Sequence, residues 1–156
     1  PDVPRHGSLG ASGDLIPMAH AVAPIFADEP PRGPRDVLAL VNTNSMMSSL
    51  ALECHARVRT LWRLGVAATA ATSLALGARD EPFGAGLARN PRQDRIAYAG
   101  QQLRDARARL LARTGLPAPA DNGIVQERYS VRCAPQVLGN ADANLEFAAG
   151  RLLDEA

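Results

Sequence analysis

The sequence predicts an all-α fold, and three observations carry that expectation. Apolar residues recur at spacings of three and four, no strand-like alternation of useful length appears, and the breaks between segments are rich in Gly and Pro. Four helical segments follow. The first runs from Asp14 to about Phe26, directly after the glycine-rich run Gly7-Ser8-Leu9-Gly10-Ala11-Ser12-Gly13. The linker Asp28-Glu29-Pro30-Pro31-Arg32-Gly33-Pro34 ends it, because its closely spaced prolines cannot continue a helix. The second runs from about Asp36 to Leu64. Its first half, Val37 to Leu52, is apolar or small almost all round, which predicts burial on every face. Gly65 is expected to interrupt it, with an Ala/Thr-rich helix from Val66 to Ala78 before Gly77 and Asp80 stop the chain.

The third segment has Asn90 as a cap, Pro91 in the first turn, and Gly115 and Pro117 as stops. Ile96, Ala99, Leu103, Ala106 and Leu110 form its inward stripe, with Arg104, Arg107, Arg109 and Arg113 elsewhere. The fourth, Asn140 to Ala156, carries Leu145, Ala148, Ala149 and Leu152 on one stripe.

Composition narrows the function classes. The 156 residues (16.5 kDa) fit one domain with a sizeable core. A hydrophobic content of 46% and 17 basic against 16 acidic residues exclude a disordered polyampholyte and a strongly basic nucleic-acid arm. All the basic residues are Arg, which points to codon usage in a GC-rich genome. Cys54 and Cys133, 79 positions apart, suggest neither a disulfide framework nor a metal site. The uncharged run Leu64 to Ala78 holds 15 residues, short of the ~20 of a spanning helix. No signal peptide is recognised, so a soluble, cytoplasmic protein is expected, without membrane or nucleic-acid partners. The opening Pro1-Asp2-Val3-Pro4 reads like the middle of a protein.

Chemistry is concentrated in the glycine-rich run. Its spacing lacks the dinucleotide pattern and the P-loop lysine. A nucleophile elbow would need Gly where Asp14 stands. Ala11-Ser12-Gly13 allows something else. An unhindered glycine nitrogen can attack the carbonyl two residues back, and loss of water with elimination from the serine then leaves an exocyclic methylidene. The product is the electrophile 4-methylidene-imidazol-5-one (MIO), and a following helix N-terminus favours developing negative charge. On these residues alone a helix-capping turn is the simpler alternative.

The flanks add a resemblance. His6-Gly-Ser-Leu-Gly-Ala-Ser-Gly-Asp-Leu-Ile-Pro-Met-Ala-His20 resembles the signature of the aromatic amino-acid ammonia-lyases and related aminomutases. Pro34-Arg35-Asp36-Val37-Leu38-Ala39-Leu40-Val41-Asn42 is similar to that family's P-K-E-G-L-A-L-x-N. Val125-Gln126-Glu127-Arg128-Tyr129-Ser130-Val131-Arg132-Cys133-Ala134-Pro135-Gln136-Val137 is similar to its V-Q-D-x-Y-S-x-R-C-x-P-Q-V.

The resemblance implies a fragment of a long-helix bundle, with residues 1–156 as the central part of its helical domain and the Ala-Ser-Gly loop at a helix N-terminus. It implies an MIO group formed from Ala11, Ser12 and Gly13 without metal, with Asp14 assisting maturation or holding the loop. Asn42, a lone amide expected inside an apolar helix, would contact the ring and the substrate amine region. Arg132 would take the substrate carboxylate, for which a guanidinium fork is suited. Tyr129 and Gln126 would line the pocket and orient ring and substrate. Gln126, Tyr129 and Arg132 recur every third residue, so a three-residue-per-turn stretch would align them. The plain alternatives are an interhelical hydrogen bond for Asn42 and a solvated face for the trio. His20 and His55 are expected to pack or cap, His6 to sit in the loop, Tyr98 to pack, and Trp62, Met46 and Met47 to be core.

The implied activity is elimination of ammonia from histidine or another aromatic amino acid, a small-molecule substrate, by a homotetramer whose sites lie between subunits. A 2,3-aminomutase uses the same ring, and a non-catalytic helical remnant or interaction module is the alternative from another class. Three departures bear on the choice. Asn42-Thr43-Asn44 stands for the family's N-G-T, Glu127-Arg128 replaces the usual pair there, and the interval from Asp14 to Asn42 is short.

Overall fold

The computed structural model describes residues 2–31, 33–89, 93–120 and 123–155. The expected cap Asn90, first-turn Pro91 and linker residue Arg32 lie outside them, as do Pro1 and Ala156. Regular structure among the described residues is wholly helical, as the sequence predicts. The elements are α1 (Leu15–Asp28), α2 (Pro34–Val41), α3 (Ser45–Ala75), α4 (Asp94–Thr114), α5 (Tyr129–Arg132) and α6 (Ala134–Asp154), with 3-10 turns at Glu81–Phe83 and Ala85–Arg89. The chain divides into two compact units, Pro1–Cys54 with Arg151–Ala156, and His55–Gly150.

In the first unit the expected long second helix is two helices, parted at Asn42, Thr43 and Asn44. Four successive small polar residues account for the break, since their side chains compete for backbone groups. The Thr43 hydroxyl accepts from the Ser45 amide at 3.3 Å and donates to the Ser45 hydroxyl at 3.0 Å. Asn42 therefore ends α2 on the surface and is not a buried mid-helix amide. Pro34 occupies the first turn of α2, where its missing N–H costs nothing.

Burial on every face of Val37 to Leu52 is also not found. α2 packs on α1, while Leu38 and Met47 stay 55% and 53% exposed and Met46 is half-buried. An apolar surface states a need for cover, and the packing of an eight-residue helix on α1 covers one stripe of it.

The second unit holds the main core: Trp62, Val66 and Ala70 of α3, Ala99, Leu103 and Ala106 of α4, and Phe83, Val131, Ala134 and Leu145. The inward stripe expected on α4 is the buried one, with Leu110 packed against its edge. Gly65 does not interrupt α3. One glycine costs about 1 kcal/mol relative to alanine, which packing of the helix overrides. α3 stops where Gly77 was expected to act. Gly77 adopts φ +65°, its amide bonds Leu74 O at 2.9 Å, and the Ala78 amide bonds Ser73 O at 2.9 Å, the Schellman pattern. Gly115, at φ +67°, closes α4.

Two charges lie where the periodicity places none. Arg107, expected away from the core, is 2% exposed. Its guanidinium donates to Asp80 Oδ1 and Ala78 O, both at 2.7 Å, and to Ser73 Oγ at 2.5 Å, over the Phe83 ring. Asp142 of α6 is fully buried and receives Arg59 at 2.6 Å and Arg95 at 3.0 Å. Arg59 also donates to Glu146, and that hydrogen bond holds the Glu146 carboxyl below the usual carboxylate range. The stabilisation this pair adds is present at neutral pH and is lost as pH falls through the lowered value.

α6 starts at Ala134, earlier than the expected Asn140, because Pro135 suits a first turn and Gly139 is needed in the body. A Cβ on Gly139 would stand 2.6 Å from Ile96 Cα and 2.8 Å from Arg95 O. Both obstacles are backbone, so Gly139→Ala forces α6 away from α4. It should destabilise the chain by about 3 kcal/mol, near the upper end for overpacking, measured as a lower midpoint in urea unfolding.

Candidate functional site

The first unit clasps the Ala-Ser-Gly turn between three parts of the chain. Ser12 has φ +57°, the one non-glycine residue with positive φ among the described residues. Gly13 has φ +94°, and a Cβ there would lie 2.7 Å from Asn42 Oδ1 and 3.1 Å from the Thr43 amide nitrogen. Thr43 itself has no left-handed backbone, so a side chain is admitted where the family pattern has glycine. The close approach is supplied by Gly13 instead.

Asp14 holds this geometry. It precedes α1 but makes no side-chain cap to it. Its carboxylate turns to α3, where Oδ2 accepts the Met47 amide at 2.9 Å, one of the unpaired N–H groups of that helix start. Oδ1 accepts the Ser8 hydroxyl, and the Asp14 amide donates to Thr43 O at 3.0 Å. Asp14 is 1% exposed, whereas Ala11, Ser12 and Asn42 lie on the surface. The structure thus brings Gly13, Asp14 and Asn42 together.

The second unit holds the other expected group. The three-residue-per-turn stretch is a single α-helical turn, in which Arg132 N bonds Arg128 O and Cys133 N bonds Tyr129 O, each at 3.0 Å. Gln126 precedes it in a bend, because the buried Glu127 fixes the chain there by accepting the Arg79 amide at 3.0 Å. The Arg132 guanidinium lies 5.3 Å from the centroid of the Tyr129 ring, and its buried Nε has no hydrogen-bond partner among the described residues. Gln126 and Arg132 line a cavity of about 620 Å³ together with Arg79, Glu81, Glu127 and Leu87; Tyr129 is not in its wall. Arg79 is one member of this group that the sequence motifs do not reveal, as are Glu81 and Leu87. The signal for Arg79 is its place just past the Gly77 stop, where a side chain can reach back to the Gln126-Glu127 segment.

The remaining candidates are structural or exposed. His55 Nε2 lies 3.0 Å from Leu145 O, and Tyr98 stacks on the buried Trp62 at 5.9 Å. His6 sits in the loop before the turn, and His20 is exposed on α1. Among the described residues no group of three or more His, Cys, Asp or Glu is placed to hold a metal ion, and no helix is long and apolar enough to cross a membrane.

The family model described as "Aromatic amino acid lyase" matches residues 30–156. The chain belongs to that family. It is 32% identical to a histidine ammonia-lyase of Paracidovorax citrulli, with 100% of the chain and 34% of the relative covered. It is 35% identical to a tyrosine ammonia-lyase of Cereibacter sphaeroides, covering 89% of the chain and 33% of the relative. A tyrosine 2,3-aminomutase of Myxococcus fulvus is 31% identical over 100% of the chain and 37% of its own length. The chain therefore spans about a third of these lyase-family relatives. The first alignment runs over 180 positions against 156 residues, so that relative carries residues this chain lacks. No solved structure matches.

The contacts at Gly13 set a test of the clasp. Gly13→Ala meets both a positive φ and the Asn42–Thr43 backbone, so it should lower stability by about 2 kcal/mol in chemical unfolding.

Proposed function

We propose that the chain is the central part of the helical domain of an aromatic amino-acid ammonia-lyase, which eliminates ammonia from histidine or another aromatic amino acid to leave an α,β-unsaturated acid. The observation that carries this is the clasped turn. Ser12 is held at positive φ and Gly13 is pressed on Asn42 and Thr43, so Ala11-Ser12-Gly13 already form a tight turn with no room for a larger residue at its third position.

These residues fit the MIO group, which would be built from them with Asp14 holding the loop. That group supplies an electrophile that makes the substrate amine a better leaving group. The chain's own residues do the rest. Asn42 presents its amide beside the turn, where it can orient the substrate amine. Arg132, whose buried Nε has no partner among the described residues, is the second unit's carboxylate-binding group. Tyr129, stacked under that guanidinium, limits where it points, and Gln126 in the cavity wall orients the substrate. The surface position of Ala11, Ser12 and Asn42 suits a site completed by further chains, as in a homotetramer.

The whole-chain similarity to enzymes named tyrosine 2,3-aminomutase favours one second reading, in which the same machinery returns ammonia to the β-carbon. Intact mass spectrometry of the full-length protein tests the shared chemistry. A deficit of two water molecules, abolished by Ser12→Ala, is expected, and an unmodified mass would sink both readings. Product analysis with histidine, phenylalanine and tyrosine separates the two, since a lyase yields the unsaturated acid and an aminomutase a β-amino acid.

A further inference from the structure

Ser8 stands four residues before Ser12 and has no part in the chemistry assigned above. Its hydroxyl nevertheless joins the two ends of the turn. It donates to Asp14 Oδ1 and accepts the Gly10 amide at 3.1 Å. The far side of the turn is anchored independently, through the Asp14 amide on Thr43 O and the Met47 amide on Asp14 Oδ2. The near side is not comparably tied: Gly7 and Gly10 both take positive φ, at +118° and +65°, and Leu9 between them is 93% exposed. Gly10 has open space around its Cβ position, so packing does not hold it. Ser8 is the hydrogen-bonded link from this glycine-hinged arm to the buried carboxylate.

We infer that Ser8 is a positioning residue for ring maturation, an inference that rests on the proposed function. Ring closure forms one bond, from the Gly13 nitrogen to the Ala11 carbonyl carbon. The Ala11 oxygen leaves as water with the Gly13 and Ser12 amide hydrogens, as a carbon–nitrogen double bond forms to Ser12 N. The Ser12 hydroxyl leaves as a second water with the Ser12 α-hydrogen, creating the methylidene. No oxidant or other reactant is needed. The nitrogen belongs to the anchored side and the carbonyl to the glycine-hinged side, so the first bond needs both held together. Ser8 supplies that restraint, and it also satisfies an oxygen of a carboxylate that is almost wholly buried.

The test follows the two-water mass deficit with time in full-length wild type, Ser8→Ala, Ser8→Val and Ser8→Thr, with helicity recorded by circular dichroism. Ser8→Ala and Ser8→Val should mature about ten-fold more slowly at native helicity, as expected when a buried acceptor loses its donor. Ser8→Thr keeps the hydroxyl and should mature at the wild-type rate. Valine and threonine have nearly the same shape, so a difference between them reports the hydroxyl and not the volume. Equal maturation in all four chains overturns the role of Ser8 and leaves the proposed function standing. A natively helical Ser8→Thr chain that fails to mature overturns it as well, even if the other variants do not fold. A wild-type chain that keeps its full mass overturns the proposed function and the role of Ser8 with it.

Discussion

The Asp14 carboxylate is buried in a loop beside two helix ends, and a buried charge must find donors or it costs several kcal/mol. It finds them in Ser8 and in the first turn of α3, while its own amide takes the carbonyl of Thr43. Had α2 and α3 been one helix, Thr43 O and Met47 N would have paired along it and been unavailable. The break at Asn42–Asn44 and the seat of Asp14 are thus one feature. The same break lets Gly13 approach the Asn42–Thr43 backbone, which confines the turn that carries Ser12.

The second unit uses buried charge in a similar way. Arg107 threads the core to reach Asp80, Ser73 and the end of α3, and Asp142 draws Arg59 and Arg95 to α6. Buried ion pairs add little net stability over apolar packing, but removing one partner leaves an uncompensated charge. Glu127 and Arg79 act on a smaller scale, fixing the bend that sets Gln126 and Arg132 along one cavity.

Apolar side chains such as Leu38, Leu61, Leu64 and Phe147 are left well exposed, in a chain that spans about a third of its relatives' length. Enzymes named for two amino acids and two reactions resemble this chain over most or all of it. The chain carries the turn with its clasp, and a guanidinium whose Nε has no partner among the described residues. Under the proposed function these serve the step that lyase and aminomutase share.

Local chemistry was legible in the sequence. Helical periodicity marked the buried stripe of α4, and Gly77 and Gly115 marked the stops, because each is a property of neighbouring residues. The motifs singled out Ala11-Ser12-Gly13, Asn42 and the Gln126 to Arg132 segment, whose roles belong to the proposed function, for the same reason. Tertiary structure alone decided the rest. It split the second helix, brought Asn42 to the surface, and drew Arg107 and Asp142 inside, because what a polar group can bond to depends on chain remote in sequence. Ser8 and Asp14 carry no periodic signal; the family resemblance singles out Asp14, but the partners that seat it, Thr43 and Met47, lie some thirty residues on and reach it only in the fold. The sequence by itself determined the helical class and the family motifs. Only the fold decided which residues lie together within each unit, since burial and hydrogen bonding are satisfied across the chain and not along it.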